Sequence, residues 1–366
     1  MPEAAAATDT RILTAAEAIL EATDQALAAD PTVFVMGEGA ADPKGIFGTT
    51  AGLVDRWGPD RVMEMPLSEN AFTGVAIGAA LMGRRPIVIH QRVEFCLLAL
   101  EQLFGTAAKA HYVSNGRHKV PLTVRLVVGR GWGQGPQHGQ SLENLFAAVP
   151  GLKVALPADP VDAKGMLLAA VADDNPVVII EHRWVHYVSG PVPAGPVATD
   201  LTGPKTLRRG DDVTVVAASY MAAEALRAAA ARANAGVSVD LIDLRLARPL
   251  NLEPILESVQ RTGRLLTVDL GHKTLGLGAE IVAGVTERAF GALRAAPVRL
   301  GTPDHPVPSS RSLAEAFYAR ADHIATAAGT LAGLPAERVA AVAEALIAER
   351  REVPFDVPHP AFKGPF

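Results

Sequence analysis

The chain has 366 residues, 49% of them hydrophobic, a formal net charge of −5 and one cysteine. At roughly 100–200 residues per domain, this length implies two domains, each able to bury a core. A small negative charge with no basic cluster excludes nucleic acid and anionic membranes as electrostatic partners, and one cysteine excludes an internal disulfide framework.

The first ten residues are alanine-rich and acidic, without the basic start and apolar stretch of a signal peptide. No run approaches the ~20 apolar residues of a membrane helix, so a reducing cytoplasm is expected. Thr14-Ala15-Ala16-Glu17 is a capping-box pattern opening an amphipathic helix to about residue 29, where Asp30-Pro31 stops it. A buried strand over 32–36 follows, then a strand over 61–65, a helix over 71–82 and a strand over 86–89. The next helix, over 95–108, holds Cys96 as a small core residue. Strands over 122–128, 153–156 and 177–180 then alternate with helices over 142–148 and 160–172. Short apolar strands separated by helices indicate parallel strands covered on both faces. Residues 189–204 are dense in proline and glycine and carry neither periodicity, so 191–206 reads as a linker closing a first domain of 1–190. A second α/β series, 207–335, has strands over 212–217, 238–242, 264–268 and 298–300. Helices over 221–232, 252–260 and 279–290 lie between them, and further helices over 312–350. The proline-rich end, 353–366, closes a terminal segment of 336–366. The expected fold is α/β, with two parallel-sheet Rossmann-like domains.

Open parallel sheets bind ligands beyond the carboxyl ends of their strands. Two segments put reactive side chains there. Met65-Pro66-Leu67-Ser68-Glu69-Asn70 lies between a strand and a helix of small residues; the ordinary reading of Glu69 is a first-turn carboxylate favoured by the helix dipole. Gly129-Arg130-Gly131-Trp132-Gly133-Gln134-Gly135-Pro136-Gln137-His138-Gly139-Gln140 is a glycine-rich loop ending in a histidine. The ordinary reading of His138 is a cap on the next helix.

From about residue 11 to 302 the sequence resembles the beta subunit of the decarboxylating component of 2-oxoacid dehydrogenase complexes, itself similar to part of transketolase. The resemblance rests on Gly37-Glu38-Gly39, Gly45-Ile46-Phe47, Pro66-Leu67-Ser68-Glu69, Gly83-Arg84-Arg85-Pro86 and Gln137-His138-Gly139-Gln140-Ser141. It continues in Pro150-Gly151-Leu152-Lys153-Val154, Asp173-Asp174-Asn175-Pro176-Val177 and Gly276-Leu277-Gly278-Ala279-Glu280, in the same order and spacing. It implies a transketolase pyrimidine-binding domain followed by a transketolase C-terminal domain, with thiamine diphosphate as cofactor. Glu69 takes the role of the glutamate that exchanges a proton with N1′ of the aminopyrimidine, a partly buried carboxyl being suited to that exchange. Phe95 is implied to pack on that ring, and His138 to lie near the reacting carbon. The backbone carbonyls of Leu122, Ala170, Asp173 and Asn175 match positions that hold potassium in some members.

The superfamily's Gly-Asp-Gly…Asn motif for diphosphate and Mg²⁺ is missing, and Gly37-Glu38-Gly39 resembles it only superficially. Cofactor diphosphate and Mg²⁺ are therefore expected on an alpha subunit in an alpha₂beta₂ assembly, with a lipoyl acyltransferase as further partner. The sequence departs from the family at His90-Gln91-Arg92-Val93-Glu94, usually apolar or aromatic, and at Asp269-Leu270-Gly271-His272-Lys273. For His90, Gln91 and Arg92, substrate recognition stands beside an internal Arg92–Glu94 pairing or a solvated rim. The leading function is oxidative decarboxylation of a 2-oxoacid with acyl transfer to lipoyl. Its rivals are half of a split transketolase-like enzyme, carrying out ketol transfer or carboligation, and a scaffold without catalysis.

Overall fold

A computed structural model describes residues 10–130, 134–197 and 199–349. Trp132 of the glycine-rich loop, most of the acidic N-terminal stretch and the tail 353–366 lie outside the described residues. The chain divides into two compact units. Among the described residues, one holds Thr10–Val127 together with Ala148–Leu201; the other holds Val128–Ala147 and Thr202–Glu349.

In chain order the elements up to the second unit's main body are β1 (Thr10–Thr14), α1 (Ala15–Ala29), β2 (Val33–Gly37), α2 (Leu53–Trp57), β3 (Val62–Glu64), α3 (Glu69–Leu81), β4 (Arg85–His90) and α4 (Val93–Cys96). They continue with α5 (Ala108–Val113), β5 (Thr123–Val128), α6 (Glu143–Ala147), β6 (Lys153–Ala155), α7 (Pro160–Ala172), β7 (Val177–His182) and β8 (Ser189–Pro193). The capping box forms as written: the Glu17 amide donates to Thr14 Oγ1 at 3.2 Å, and the Thr14 amide donates to Glu17 at 2.7 Å. The helix expected over 95–108 begins earlier and ends later, because a 3₁₀ turn (Leu97–Ala99) and a π-helical stretch (Glu101–Ala107) join α4 to α5. Such irregular turns leave no periodic signal and often mark functional sites.

The first unit's main sheet has the order β6-β7-β5-β4-β2-β3, and its recorded pairings are parallel. The chain passes from β2 to β3 on one side, then to β4 on the other. The strand order therefore reverses between β2 and β4, which places a ligand crevice beyond Gly37 and His90. A Cβ at Gly37 would sit 2.4 Å from the Ile89 carbonyl oxygen, so only glycine lets the two strands meet here. The head of the stretch read as a linker is a strand: β8 pairs antiparallel with β1, Pro193 opposite Thr10 and Pro191 opposite Ile12. Its prolines hide the alternation, and a two-stranded edge tolerates them.

The second unit contains α6 and, further on, β9 (Lys205–Arg208), β10 (Val213–Ala217), α8 (Met221–Asn234), β11 (Val239–Asp243), β12 (Leu246–Arg248), α9 (Glu253–Thr262), β13 (Leu265–His272), α10 (Leu277–Ala289) and β14 (Val298–Thr302). Helices α11 (Arg311–Phe317), α12 (Ala321–Leu331) and α13 (Ala336–Glu349) complete it. Its sheet order is β14-β13-β10-β11-β9, with β9 antiparallel and a second reversal between β10 and β13. Buried Arg232 ties α8 to the C-terminal helices, donating to the carbonyls of Ala325 at 2.7 Å and Val339 at 3.2 Å. Arg130 does the same for the glycine-rich segment, donating to Pro308 and Ser309 at 3.1 and 2.8 Å. Among the described residues, no helix is long and apolar enough to cross a membrane.

Candidate active site

Glu69 stands at the first unit's crevice. Helix α3 opens two residues earlier than its periodicity suggests, with Ser68 at the N-cap and Glu69 in the first turn. The Glu69 residue is only 8% exposed, and among the described residues no donor or cation is paired with its carboxylate. A carboxylate serving only the helix dipole gains about 0.3–1 kcal/mol at an exposed position. Taking it out of water without a partner costs more than that, so the arrangement suits a carboxyl that meets a donor from outside the chain. Asn70 donates to the Leu98 carbonyl at 3.2 Å, tying this turn to the segment that carries half-buried Phe95.

Two further acids share the crevice. Glu38 directly follows β2; burial pushes its carboxyl above the ordinary range, and Glu69 and Glu64 push it further. Its Oε1 is buried without a hydrogen-bond partner. Glu64 is instead held by the Gly39 and Ala41 amides at 2.6 and 3.0 Å. Sequence reading singles out neither, although Glu38 sits in a quoted motif immediately after a strand. Once protonated, or in the imino tautomer, an aminopyrimidine carries a hydrogen on N1′ and supplies the donor that Glu69 lacks, so the carboxyl fits the pyrimidine end of thiamine diphosphate. Cys96, beside these acids, is fully buried, and burial followed by Glu69 pushes its thiol up. It is a core residue, as expected.

The polar run after β4 separates into three different environments. His90 is 2% exposed, stacks on Phe72 at 5.1 Å between ring centroids and lies 3.3 Å from Thr73 Oγ1. Burial pulls its imidazole down to about 3, so it is neutral and belongs to the interior. Gln91 is also turned inward, donating to the Glu38 carbonyl at 2.8 Å. Arg92 is 3% exposed, which rules out the solvated rim. Its guanidinium lies 5.3 Å from the Phe47 ring centroid, and that of Arg183 lies 4.4 Å from the same ring. Burial lowers Arg92 to about 10, with Glu94 acting in the opposite direction and Arg183 in the same one. Phe47 itself adopts φ +51, a conformation costly for a bulky residue. Sequence reading missed Arg183 and the partnership of Phe47, since nothing in the chain order relates 47 to 183.

His138 belongs to the second unit, whereas Glu69, Phe95 and Arg92 belong to the first. Its amide donates to the Gly135 carbonyl at 3.1 Å in a turn well ahead of α6, so it caps no helix. Three of the carbonyls matched to potassium, those of Leu122, Ala170 and Asp173, are hydrogen-bonded within the chain. Leu122 accepts from the Val177 amide at 2.9 Å and Ala170 from the Asp173 amide at 3.2 Å. Arg85 Nη1 reaches the carbonyls of Asp173 and Val171, both at 2.9 Å, while the Asp173 carboxylate pairs with Lys153 and accepts from the Asn175 amide at 2.9 Å. Of the four matched residues, Leu122 and Ala170 thus give their carbonyls to backbone amides, and that of Asp173 meets the Arg85 guanidinium.

Residues 12–185 match the transketolase pyrimidine-binding domain family, and residues 204–324 match the transketolase C-terminal domain family. The beta subunit of acetoin:2,6-dichlorophenolindophenol oxidoreductase from Cupriavidus necator is 39% identical, over 85% of this chain and 95% of that protein. The mitochondrial pyruvate dehydrogenase E1 component subunit beta-2 of Oryza sativa subsp. japonica is 38% identical, over 86% of this chain and 85% of that protein. The 2-oxoisovalerate dehydrogenase subunit beta of Bacillus subtilis is 37% identical over 86% and 97%. Among solved structures, a split-gene transketolase described as an inactive beta4 tetramer matches with a TM-score of 0.72 at 23% identity, covering 88% of this chain and 99% of that one. At that identity the likeness speaks for the fold. Two transketolase domains in this order, and identity sustained across most of both chains, mean that the protein belongs to the transketolase-type beta-subunit family of the pyruvate, acetoin and 2-oxoisovalerate dehydrogenases.

Proposed function

We propose that the chain is the beta-type half of a thiamine-diphosphate-dependent dehydrogenase that decarboxylates a 2-oxoacid and passes the acyl unit to a lipoyl carrier. It acts beside an alpha subunit, in an alpha₂beta₂ assembly. The observation carrying this reading is Glu69, buried without a donor at a strand reversal. When bound, thiamine diphosphate supplies the electron sink that takes up the pair left by departing CO₂. Glu69 accepts a hydrogen bond at N1′ and moves a proton there, and Phe95 packs against the ring. His138 protonates or stabilises the product side. Arg92, buried and cationic, sets the charge at the substrate end, while Gln91 braces the Glu38 backbone and His90 fills the space behind. The diphosphate and Mg²⁺ are held by the alpha subunit, since this chain has no Gly-Asp-Gly…Asn motif.

The test is to purify the chain with its alpha partner and supply pyruvate, branched 2-oxoacids and acetoin with lipoamide, and separately pairs of sugar phosphates. Lipoamide reduction with a 2-oxoacid is expected. Ketol transfer between sugar phosphates would replace this reading with a split transketolase, and silence in both assays would leave only a scaffold.

A further inference from the structure

The second unit has a crevice of its own. Beyond the carboxyl ends of β10 and β13, where its strand order reverses, lies a small cavity of ≈ 10 Å³, the space of about one water. Glu143 and Asn144 reach it from the first turn of α6, Ser219 from the end of β10, and Asp269 and Gly271 from β13. Oxygen atoms gather around Gly271, which lines it. A Cβ built on Gly271 would have as its three nearest neighbours Asp269 Oδ1 at 3.2 Å, Glu143 Oε2 at 3.9 Å and the Ser141 carbonyl oxygen at 3.9 Å. Independently, Ser219 is 4% exposed, lines the same cavity, and its Oγ has no hydrogen-bond partner; the Asp269 carboxyl meets the Gly271 and Gly278 amides but, among the described residues, no buried cation.

The remaining polar atoms nearby are committed elsewhere. Asp269 Oδ2 takes the Gly278 amide at 3.3 Å, and Asn144 Nδ2 donates to the Leu275 carbonyl at 3.0 Å, leaving the amide oxygen as that side chain's acceptor. Arg299, the cation that acts on Asp269, gives its Nη1 to the Lys273 carbonyl. Two carboxylates exclude an anion, and the volume excludes an organic ligand. Carboxylate, hydroxyl, amide and main-chain oxygens without sulfur or imidazole select a hard cation, and their irregular mixture favours a flexible coordination sphere over a strict octahedron.

We infer that Glu143, Asp269 and Ser219, with the Ser141 carbonyl and Asn144, form a binding site for a divalent cation of the calcium class. The ion ties α6, and with it the end of the segment that carries His138, to the end of β13. Binding itself does not depend on the proposed role of His138; only an effect on turnover would.

The experiment uses the full-length chain, chelator-treated and free of thiamine diphosphate, titrated with calcium chloride and with magnesium chloride by calorimetry and thermal unfolding. Single-site binding is expected, calcium stronger than magnesium, with a rise in Tm that saturates at one ion per chain. Glu143→Gln and Asp269→Asn should each weaken binding by on the order of tenfold or more, and Ser219→Ala by less. Both carboxamide variants should unfold in chelator at or above the wild-type temperature, because they remove the repulsion between two buried acids; loss of the calcium response then reports a lost ligand rather than a lost fold. Absence of single-site binding up to millimolar calcium or magnesium, or an unchanged response in the variants, would overturn the proposal.

Discussion

At the residue scale the proposed chemistry rests on Glu69. Glutamine keeps the hydrogen-bonding shape but cannot exchange a proton with N1′. Glu69→Gln should therefore leave folding and assembly intact while lowering turnover by about 10²–10⁴-fold, and exchange of the bound cofactor's C2 proton, followed by NMR, should slow in parallel. Exchange at the wild-type rate would reduce Glu69 to a helix-terminal carboxylate. The buried histidines set a different, pH-dependent behaviour. Burial depresses His90 and His182 to about 3 from an ordinary 6.5, and also lowers His186. The unfolded chain then binds more protons than the folded one between these values, so their contribution is fully present above pH 6.5 and is lost as pH falls towards 3. Glu181, which burial raises but Arg125 and His186 hold down to about 2, removes further stability below pH 4.5. Glu143 and Asp269 act oppositely: burial raises both to about 7, so in chelated protein their contribution is lost as pH rises through 7. Thermal unfolding of chelated protein across pH 4–9 should give a maximum near neutrality, and Tm still climbing steadily above pH 8 would contradict these assignments.

At the scale of elements, the centre of the first sheet is joined by charge as well as by backbone. Arg125 on β5 is fully buried and donates Nη2 to Glu181 on β7 at 2.9 Å and to Thr49 at 2.8 Å, while His186 lies 3.0 Å from the same carboxylate. Removing one partner of a buried pair leaves an uncompensated charge, so Glu181→Gln should cost about 3–5 kcal/mol in denaturant unfolding. A loss below about 1 kcal/mol would mean that water reaches Arg125. This network was illegible in the chain, since an arginine inside an apolar strand reads as a surface position until the strand order places a carboxylate on the adjacent strand. Helices α1 and α7, by contrast, were legible from cap to cap, because their capping residues and proline stops act through local hydrogen bonds. β8 was not, because its order comes from its partner β1 rather than from its own composition.

For the whole molecule, the proposed function divides the cofactor between chains. The isolated chain should show little heat when titrated with thiamine diphosphate and Mg²⁺, and marked binding only after the alpha partner is added; micromolar or tighter binding by this chain alone would defeat the two-chain reading. The sequence by itself determined the α/β class, the alternation of strands and helices, and the motifs carrying Glu69 and His138. Each of these depends on periodicity, caps and residue order, which are properties of neighbours along the chain. Tertiary structure decided that Val128–Ala147 groups with the second unit, that His90 and Gln91 face inward, and that Arg85 reaches the Asp173 carbonyl, one of four read as potassium ligands. It also decided that Glu143 and Asp269, far apart in sequence, share one cavity. Strand order sets these outcomes, and strand order is a matter of long-range pairing that no local pattern encodes.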